Sequence, residues 1–148
     1  ELWIGASDAW KTDSFPDMKG FDSLQELTIG WFSFDRIPHQ IYRIATLRRL
    51  IVLNCPIKYV CEQIAHLHDL RELVIRGGAM QHIPDAVLKL QKLEYLDLAN
   101  NQIANVDRTI LKLERLKNLS LHANWNCVVD DQIRTRKALR LFLPQAIQ

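Results

Sequence analysis

A repeat with a fixed period of 23 residues runs through this sequence. Five leucines stand at that interval, namely Leu24, Leu47, Leu70, Leu93 and Leu116. From Leu93 onward, leucines at the first, fourth and sixth positions alternate with other residues, as they do in a short β-strand that ends in a turn. A period of roughly 20 to 50 residues is typical of solenoid proteins, so the repeat decides how the chain is divided.

The second half of each repeat has a different spacing. In the first full copy, Ile37 and Pro38 are followed by Ile41 and Ile44, and the later copies keep the same offsets. Apolar residues three and four positions apart indicate a short helix, and a Pro or Asp is tolerated in its first turn. Each repeat is therefore predicted to consist of a strand, a turn and a helical segment. Leu2 to Ile4 alternate as a further strand would.

This skeleton resembles the 23-residue form of the leucine-rich repeat family, without a gap over residues 24–121. The resemblance implies an α/β fold, a right-handed solenoid with a parallel sheet on the concave face and short helices on the convex face, capped at both ends. We expect a single domain over residues 1–148. It would comprise a degenerate repeat or cap at 1–23, four full repeats at 24–115, and a last strand with a C-terminal helical cap at 116–148.

The sequence departs from the family pattern at the ninth position of the repeat. The family has an Asn there that closes the turn, as Asn101 and Asn124 would. The N-terminal copies carry Phe32, Cys55 and Gly78 instead. Phe and Gly side chains cannot donate such a hydrogen bond, so we expect looser or differently bonded turns in that half.

The end of the chain is similar to the cap of many bacterial leucine-rich repeat proteins. Asp130 and Asp131 are a suitable helix start, and the sequence predicts a helix from Gln132 to Leu143, before Pro144. Three apolar residues would cover the end of the core: Ile133, Leu139 and Phe142. Four basic residues would remain largely outside: Arg134, Arg136, Lys137 and Arg140.

The repeat also predicts which side chains share a surface. Residues between the strand leucines point away from the core, and stacking the repeats places them in columns on the concave sheet face. The column between the second and third leucine contains Trp3, Thr28, Ile51, Val74, Asp97 and Ser120. An exposed apolar centre with aromatic and arginine anchors and a charged rim is typical of a protein-binding surface. The predicted partner-binding residues are Trp31, Arg49, Ile51, Leu53, Glu72, Val74, Arg76, Tyr95 and Asp97.

Composition and motifs argue against several other classes of function. The formal net charge is +2, which gives no general argument for nucleic acid, and no apolar run reaches the roughly 18 residues of a membrane helix. Three sparse cysteines form no Cys-x-x-Cys pair and favour a reducing compartment. His66 and His68, two residues apart, do not share a helix face. No catalytic, cofactor or metal motif is recognisable, so we expect neither an enzyme nor a cofactor.

We therefore expect a monomeric protein-protein interaction module that binds a protein or peptide partner through the concave face. One alternative is a substrate-targeting fragment of a larger enzyme or secreted effector. A second alternative uses the basic residues from Arg134 to Arg140 to touch a membrane or nucleic acid, which would make binding sensitive to salt.

Overall fold

The computed structural model describes residues 1–5 and 15–143. Within these ranges there are nine strands: β1 (Leu2–Gly5), β2 (Glu26–Gly30), β3 (Arg49–Leu53), β4 (Glu72–Arg76), β5 (Tyr95–Asp97), β6 (Asn105–Val106), β7 (Asn118–Ser120), β8 (Val128–Val129) and β9 (Arg140–Phe142). Seven of them form one parallel sheet, in the order β1, β2, β3, β4, β5, β7 and β9. The remaining two, β6 and β8, pair with each other. The strand predicted near the N-terminus is present as β1.

Short helices connect the strands of the large sheet. Four are 3-10 helices, at Ile41–Arg43, Glu62–His66, Val87–Lys89 and Arg108–Lys112. The i to i+3 hydrogen bonds of a 3-10 helix close a turn within three to five residues, which suits the short return path inside each repeat. The predicted fold class is confirmed: strand, turn and short helix alternate through an open parallel sheet. No helix in the described ranges has the length and apolar character needed to cross a membrane.

The core lies between the sheet and the short helices. The second leucine-type position of each repeat is fully buried at Leu27, Leu50, Leu73, Leu96 and Leu119. Ile41, Ile64, Val87 and Ile110 bring the helical segments against them from the other side. Burying such a side chain stabilises the fold by about 1.5 to 3 kcal/mol, so the repeated skeleton is the main source of stability.

The turns after the strands are held together in two different ways. Asn101 is buried, and its amide donates to the Ile75 and Leu98 carbonyls at 2.8 and 3.0 Å while its oxygen accepts from the Met80 amide. Asn124 repeats this arrangement one copy later. At the N-terminal end, aromatic packing replaces these bonds: Phe32 stacks on Phe34 with ring centroids 4.9 Å apart, and Phe15 meets both rings edge-on. The expectation of differently bonded turns in that half is confirmed.

The predicted C-terminal helix is wrong in its extent. Asp130 caps α1 (Asp131–Arg134) by accepting from the Gln132 amide, but α1 has only four residues. The chain then extends, and β9 pairs with β7. The reason is that the exposed edge of β7 carries backbone groups that need partners: the Arg140 amide donates to the Lys117 carbonyl and the Leu121 amide to the Phe142 carbonyl.

This change of structure also moves one side chain. Ile133 and Leu139 are buried and cover the core as expected, but Phe142 is exposed. In a strand successive side chains alternate between faces, so the partly buried Leu141 packs against the core and Phe142 faces the opposite way. Arg134, Lys137 and Arg140 are exposed, whereas the half-buried Arg136 donates to the Glu114 carbonyl at 2.7 Å.

Candidate interaction face of the sheet

The side of the large sheet that faces away from the helices is called the open face below. Its side chains align across the strands because the pairing keeps the period of the repeat. Residues that pair in register form one continuous column of Trp3, Thr28, Ile51, Val74, Asp97, Ser120 and Phe142. The structure therefore places the sequence-predicted column as expected and adds Phe142 at its C-terminal end.

The N-terminal half of the open face is apolar. Ile51 and Leu53 are half-buried, and Trp31 is exposed. Val74, which the sequence predicted to be an exposed member of this group, is only 5% exposed. Val74 has a short side chain, and the longer side chains of Glu72 and Arg76 flank it two residues away on the same strand. It supports the surface from below and offers little contact area itself.

Two tryptophans lie side by side at the N-terminal end of the open face. Trp3 and Trp31 have ring centroids 6.1 Å apart at an angle of 52°, and more than half of each side chain is exposed. The repeat pattern predicts Trp3 in the column, but Trp3 was not among the predicted partner-binding residues. Its pairing could have identified it: Trp3 in β1 pairs with Thr28 of β2, and Trp31 follows directly after the end of β2.

Trp31 also has an unusual backbone conformation. Its φ is 61°, in the left-handed region that is costly for a bulky residue. The equivalent residues of the later repeats have similar φ values. Three of them are Asn54, Gly77 and Asn100, whose side chains tolerate this region better. Residues in such conformations persist where the surrounding structure holds them, often at functional sites.

Asp97 is a second residue whose burial differs from the prediction. It was expected on a charged rim, but it is fully buried. Its carboxylate accepts from Arg76 Nε at 2.8 Å, from the Tyr95 hydroxyl at 3.2 Å and from the Ala99 amide at 2.9 Å. A buried carboxylate needs several such partners, and strands β4 and β5 supply them here.

The pair formed with Asp97 fixes Arg76 on the open face. The hydrogen bond with Asp97 raises the pKa of the Arg76 guanidinium, which keeps it charged. About half of the Arg76 side chain is exposed. Burial, together with the Asp97 charge, raises the pKa of the Tyr95 hydroxyl, so this group remains a neutral donor. Beside them, Ser120, His122 and Phe142 line an open groove of about 700 Å³.

Arg49 is also held by carboxylates. Its Nε lies 3.1 Å from Glu72, and its Nη1 lies 3.8 Å from Glu26 on the other side. Opposite charges in neighbouring strands stabilise the sheet slightly and hold the side chains in place. The predicted charged residues therefore lie on the open face, where they form ordered pairs.

Histidine, cysteine and carboxylate side chains do not gather into a metal site in ranges 1–5 and 15–143, since no group of three or more is found there. The three cysteines, Cys55, Cys61 and Cys127, are free thiols. Burial raises the pKa of Cys55 and Cys127, which keeps both thiols protonated and unreactive near neutral pH.

Comparison with known proteins agrees with this architecture. A family model described as "Leucine rich repeat" matches residues 68–125. No curated protein matches the chain. Among solved structures, a leucine-rich repeat protein from Leptospira interrogans has a TM-score of 0.74 and 22% identity, over 89% of this chain and 34% of its own.

Two other solved structures share the fold. The plant peptide hormone receptor RGFR1, in complex with RGF2, has a TM-score of 0.60 and 16% identity, over 84% of this chain and 25% of its own. An internalin from Listeria monocytogenes has a TM-score of 0.53 and 20% identity, over 82% of this chain and 42% of its own. The chain thus spans less than half the length of each of these proteins, and at these identities the likeness concerns the fold.

Proposed function

We propose that this chain, whose repeats place it in the leucine-rich repeat family of interaction scaffolds, binds a protein or peptide partner through the open face. The observation that carries this proposal is an apolar surface on β1, β3 and the turn after β2. It is formed by the exposed Trp3 and Trp31 and the half-buried Ile51 and Leu53. RGFR1, a plant peptide hormone receptor of the same fold, was solved in complex with RGF2, which is consistent with this kind of use.

The composition of this surface supports a protein partner. Tryptophan is the residue most enriched among those that contribute large binding energies, and it gives a large contact area at a low cost in side-chain entropy. Trp3 and Trp31 already contact each other, so binding would need little further ordering of their rings. Ile51 and Leu53 extend the apolar surface toward the centre of the sheet.

The arginines of the open face would orient the partner. Arg76 uses Nε and one terminal nitrogen on Asp97, which leaves donors for a carboxylate or carbonyl of the partner. Arg49 lies between Glu26 and Glu72 and provides a polar border to the apolar surface. Val74 and Asp97, named as contact residues from the sequence, would act beneath the surface by positioning Ile51 and Arg76.

The alternative of a targeting segment within a larger enzyme or effector uses the same face. It differs in what is attached to the repeats, and the experiment below tests the face in either case.

The experiment is a selection of displayed peptides on the wild-type chain, followed by affinity measurements with variants. Ile51→Glu combined with Leu53→Glu places two charges in the centre of the apolar surface without disturbing the buried skeleton. We expect the affinity for selected peptides to fall by at least about 30-fold, because two anchors worth about 1 kcal/mol or more each are lost.

Val128→Glu is the matched control. Val128 is exposed and apolar but lies on β8, outside the large sheet. We expect this variant to bind as the wild type does. Equal affinities of the wild type and of the folded Ile51/Leu53 double variant would overturn the proposal, and so would a loss of binding that is equal in the Val128 control.

A further inference from the structure

A second concave surface lies on the helical side of the molecule. It is a groove of about 790 Å³. It lies between the segment that leads into the first 3-10 helix (Ile41–Arg43) and the second 3-10 helix (Glu62–His66). Its walls are largely apolar and aromatic, formed by Phe15, Phe34, Ile37, Pro38 and Tyr42. Phe15 and Phe34 are held by the aromatic packing around Phe32, so these walls are fixed by the fold.

The same crevice occurs two repeats later, and it is much smaller there. His82, Ile83, Asp85 and Leu88 are 46 residues beyond Arg36, Ile37, His39 and Tyr42, and they line a crevice of about 210 Å³. The groove at Tyr42 is therefore not a general consequence of the repeat. It is a local enlargement of a crevice that the repeat builds more tightly elsewhere.

Tyr42 forms part of the buried floor of the groove. It is 4% exposed, and its hydroxyl oxygen is buried beside Cys61, without a hydrogen bond of good geometry to a described residue. Residues at the same position in later repeats are Ala65, Leu88 and Leu111, so packing in this position does not require a hydroxyl. Burial raises the pKa of Tyr42, which leaves a neutral group able to donate one hydrogen bond. A buried polar group without a partner calls for a specific explanation.

The rim of the groove carries more positive charge than the rim of the smaller crevice. Arg36 pairs with Asp35 at 3.1 Å, whereas Arg43 is exposed and forms no ion pair with a described residue. His39 and His66 complete the rim. The smaller crevice carries Asp85 and Asp107 at the positions of His39 and Cys61. The two crevices thus differ in charge as well as in size.

We propose that this groove is a second binding site, separate from the open face, for a small organic carboxylate with an aromatic body. The aromatic part packs on the accessible part of Phe34, above the buried Ile37 and Tyr42, and the carboxylate lies at the rim beside Arg43. A groove of several hundred Å³ with apolar walls and a few polar groups is the usual form of a small-molecule site. The excess positive charge at the rim selects an anion over a cation.

The test is a titration of the full chain with 2-naphthylacetate, followed in amide NMR spectra, beside a matched titration with 2-naphthylmethylamine. We expect saturable shifts from the carboxylate at residues 36–43 and 61–66, and weaker binding of the amine. Arg43→Glu should lower the affinity for the carboxylate by about fivefold, because one attraction becomes a repulsion at a partly exposed site.

Lys112→Glu is the control, because Lys112 is the equivalent of Arg43, 69 residues on, and like Arg43 it is exposed and forms no ion pair with a described residue. It should change the affinity by less than about twofold. If the spectrum of Arg43→Glu shows a loss of fold, Arg43→Gln takes its place with a smaller expected decrease. Absence of saturable shifts, shifts centred on the open face, or an amine that binds as tightly as the carboxylate would each overturn the proposal. Equal decreases in the Arg43 and Lys112 variants would overturn it as well.

Discussion

Single residues decide how the end of each strand turns. The eighth position of the repeat has a left-handed backbone throughout, with φ between 52° and 68° at Trp31, Asn54, Gly77, Asn100 and Ala123. Glycine and asparagine tolerate this region, and the other side chains are strained there by about 1 kcal/mol or more. A tryptophan at this position therefore adds backbone strain while it enlarges the open face.

The Trp31→Asn variant tests whether backbone strain at Trp31 offsets the stabilising contact with Trp3. The substitution removes the contact with Trp3, worth about 0.5 to 1.5 kcal/mol, and relieves a backbone strain of similar size. We expect the free energy of unfolding, measured in urea, to stay within about 1 kcal/mol of the wild type, while binding of peptides selected on the open face weakens. Trp3→Thr removes the same ring contact without relieving Trp31, so it should be the less stable variant. A Trp31→Asn protein less stable than Trp3→Thr would contradict the strain at Trp31.

Gly78 gives a second prediction at the level of one residue. The family pattern has an Asn at this position. Gly78→Asn would therefore be expected to add a hydrogen-bonded turn like those of Asn101 and Asn124 and to stabilise the protein. The structure predicts the opposite, because a Cβ on Gly78 would lie 2.6 Å from Asn101 Oδ1 and 3.2 Å from the Ile57 carbonyl oxygen. Gly78→Ala and Gly78→Asn should each lower the free energy of unfolding by about 1 to 3 kcal/mol.

The Asn101→Ala background provides the control for Gly78, because it removes the crowding atom. Gly78→Ala should cost less in that background than in the wild type, so the two substitutions should be coupled in a double-mutant cycle. If the two changes in the free energy of unfolding were strictly additive, crowding by the Asn101 side chain would not be the reason for the glycine at position 78.

At the scale of the elements, the strands were predictable and the final segment was not. Leucine-type residues with a period of two, repeated every 23 residues, specify β2 to β5 and the register between them. Residues 140–142 carry no comparable repeat, and their local pattern suits a helix. Their strand conformation depends on the edge of β7, a partner distant in sequence, which a local pattern does not contain.

The open face shows the same limit. The repeat pattern placed Ile51, Leu53 and Arg76 on the open face correctly, because side chains alternate between the two faces along a strand. Exposure of Val74 and Asp97 was predicted wrongly, because burial depends on the lengths of neighbouring side chains and on an arginine from the next strand. A pattern read along one strand cannot supply that information.

Ion pairs between successive repeats make the stability of these elements depend on pH. Lys117 Nζ lies 2.6 Å from Glu94 and Lys92 Nζ lies 2.5 Å from Asp69, each pair 23 residues apart. The hydrogen bond from Lys117 lowers the pKa of Glu94 below its usual value of 4.5. A carboxyl with a lowered folded-state pKa stabilises the protein above its unfolded pKa, and this contribution is lost as the pH falls through the folded value.

Glu94→Gln should therefore be less stable than the wild type near neutral pH and equal to it in acid, below the folded-state pKa of Glu94. Thermal unfolding at a series of pH values measures this convergence, and added salt should reduce the difference because the pair is exposed to solvent. Glu114→Gln is the control, since Glu114 is exposed and its side chain makes no ion pair with a described residue. A stability difference for Glu94→Gln that persists unchanged into acid would contradict the assignment.

For the whole molecule, each repeat contacts mainly the repeats before and after it. Successive strands of the large sheet pair one to the next, from β1 to β9, and the short helices follow the same order. In such a solenoid the free energy of folding is close to a sum of repeat terms and nearest-neighbour interface terms. The open face and the groove beside Tyr42 both involve the N-terminal repeats, so their integrity depends on the coupling of those repeats to the centre.

This coupling can be measured by placing the same kind of cavity at the centre and at the edge. Leu73 is fully buried in β4, with strands on both sides, whereas Leu141 is partly buried in β9 at the end of the sheet. Leu73→Ala should cost about 2 to 5 kcal/mol and speed amide hydrogen exchange in every strand from β2 to β7, because it weakens two interfaces. Leu141→Ala should cost less and speed exchange only in β9 and β7. Uniform acceleration of exchange across the sheet in both variants would mean that the repeats unfold as one unit. The groove at Tyr42 and the tryptophans of the open face would then depend on the C-terminal edge of the sheet as much as on their own repeats.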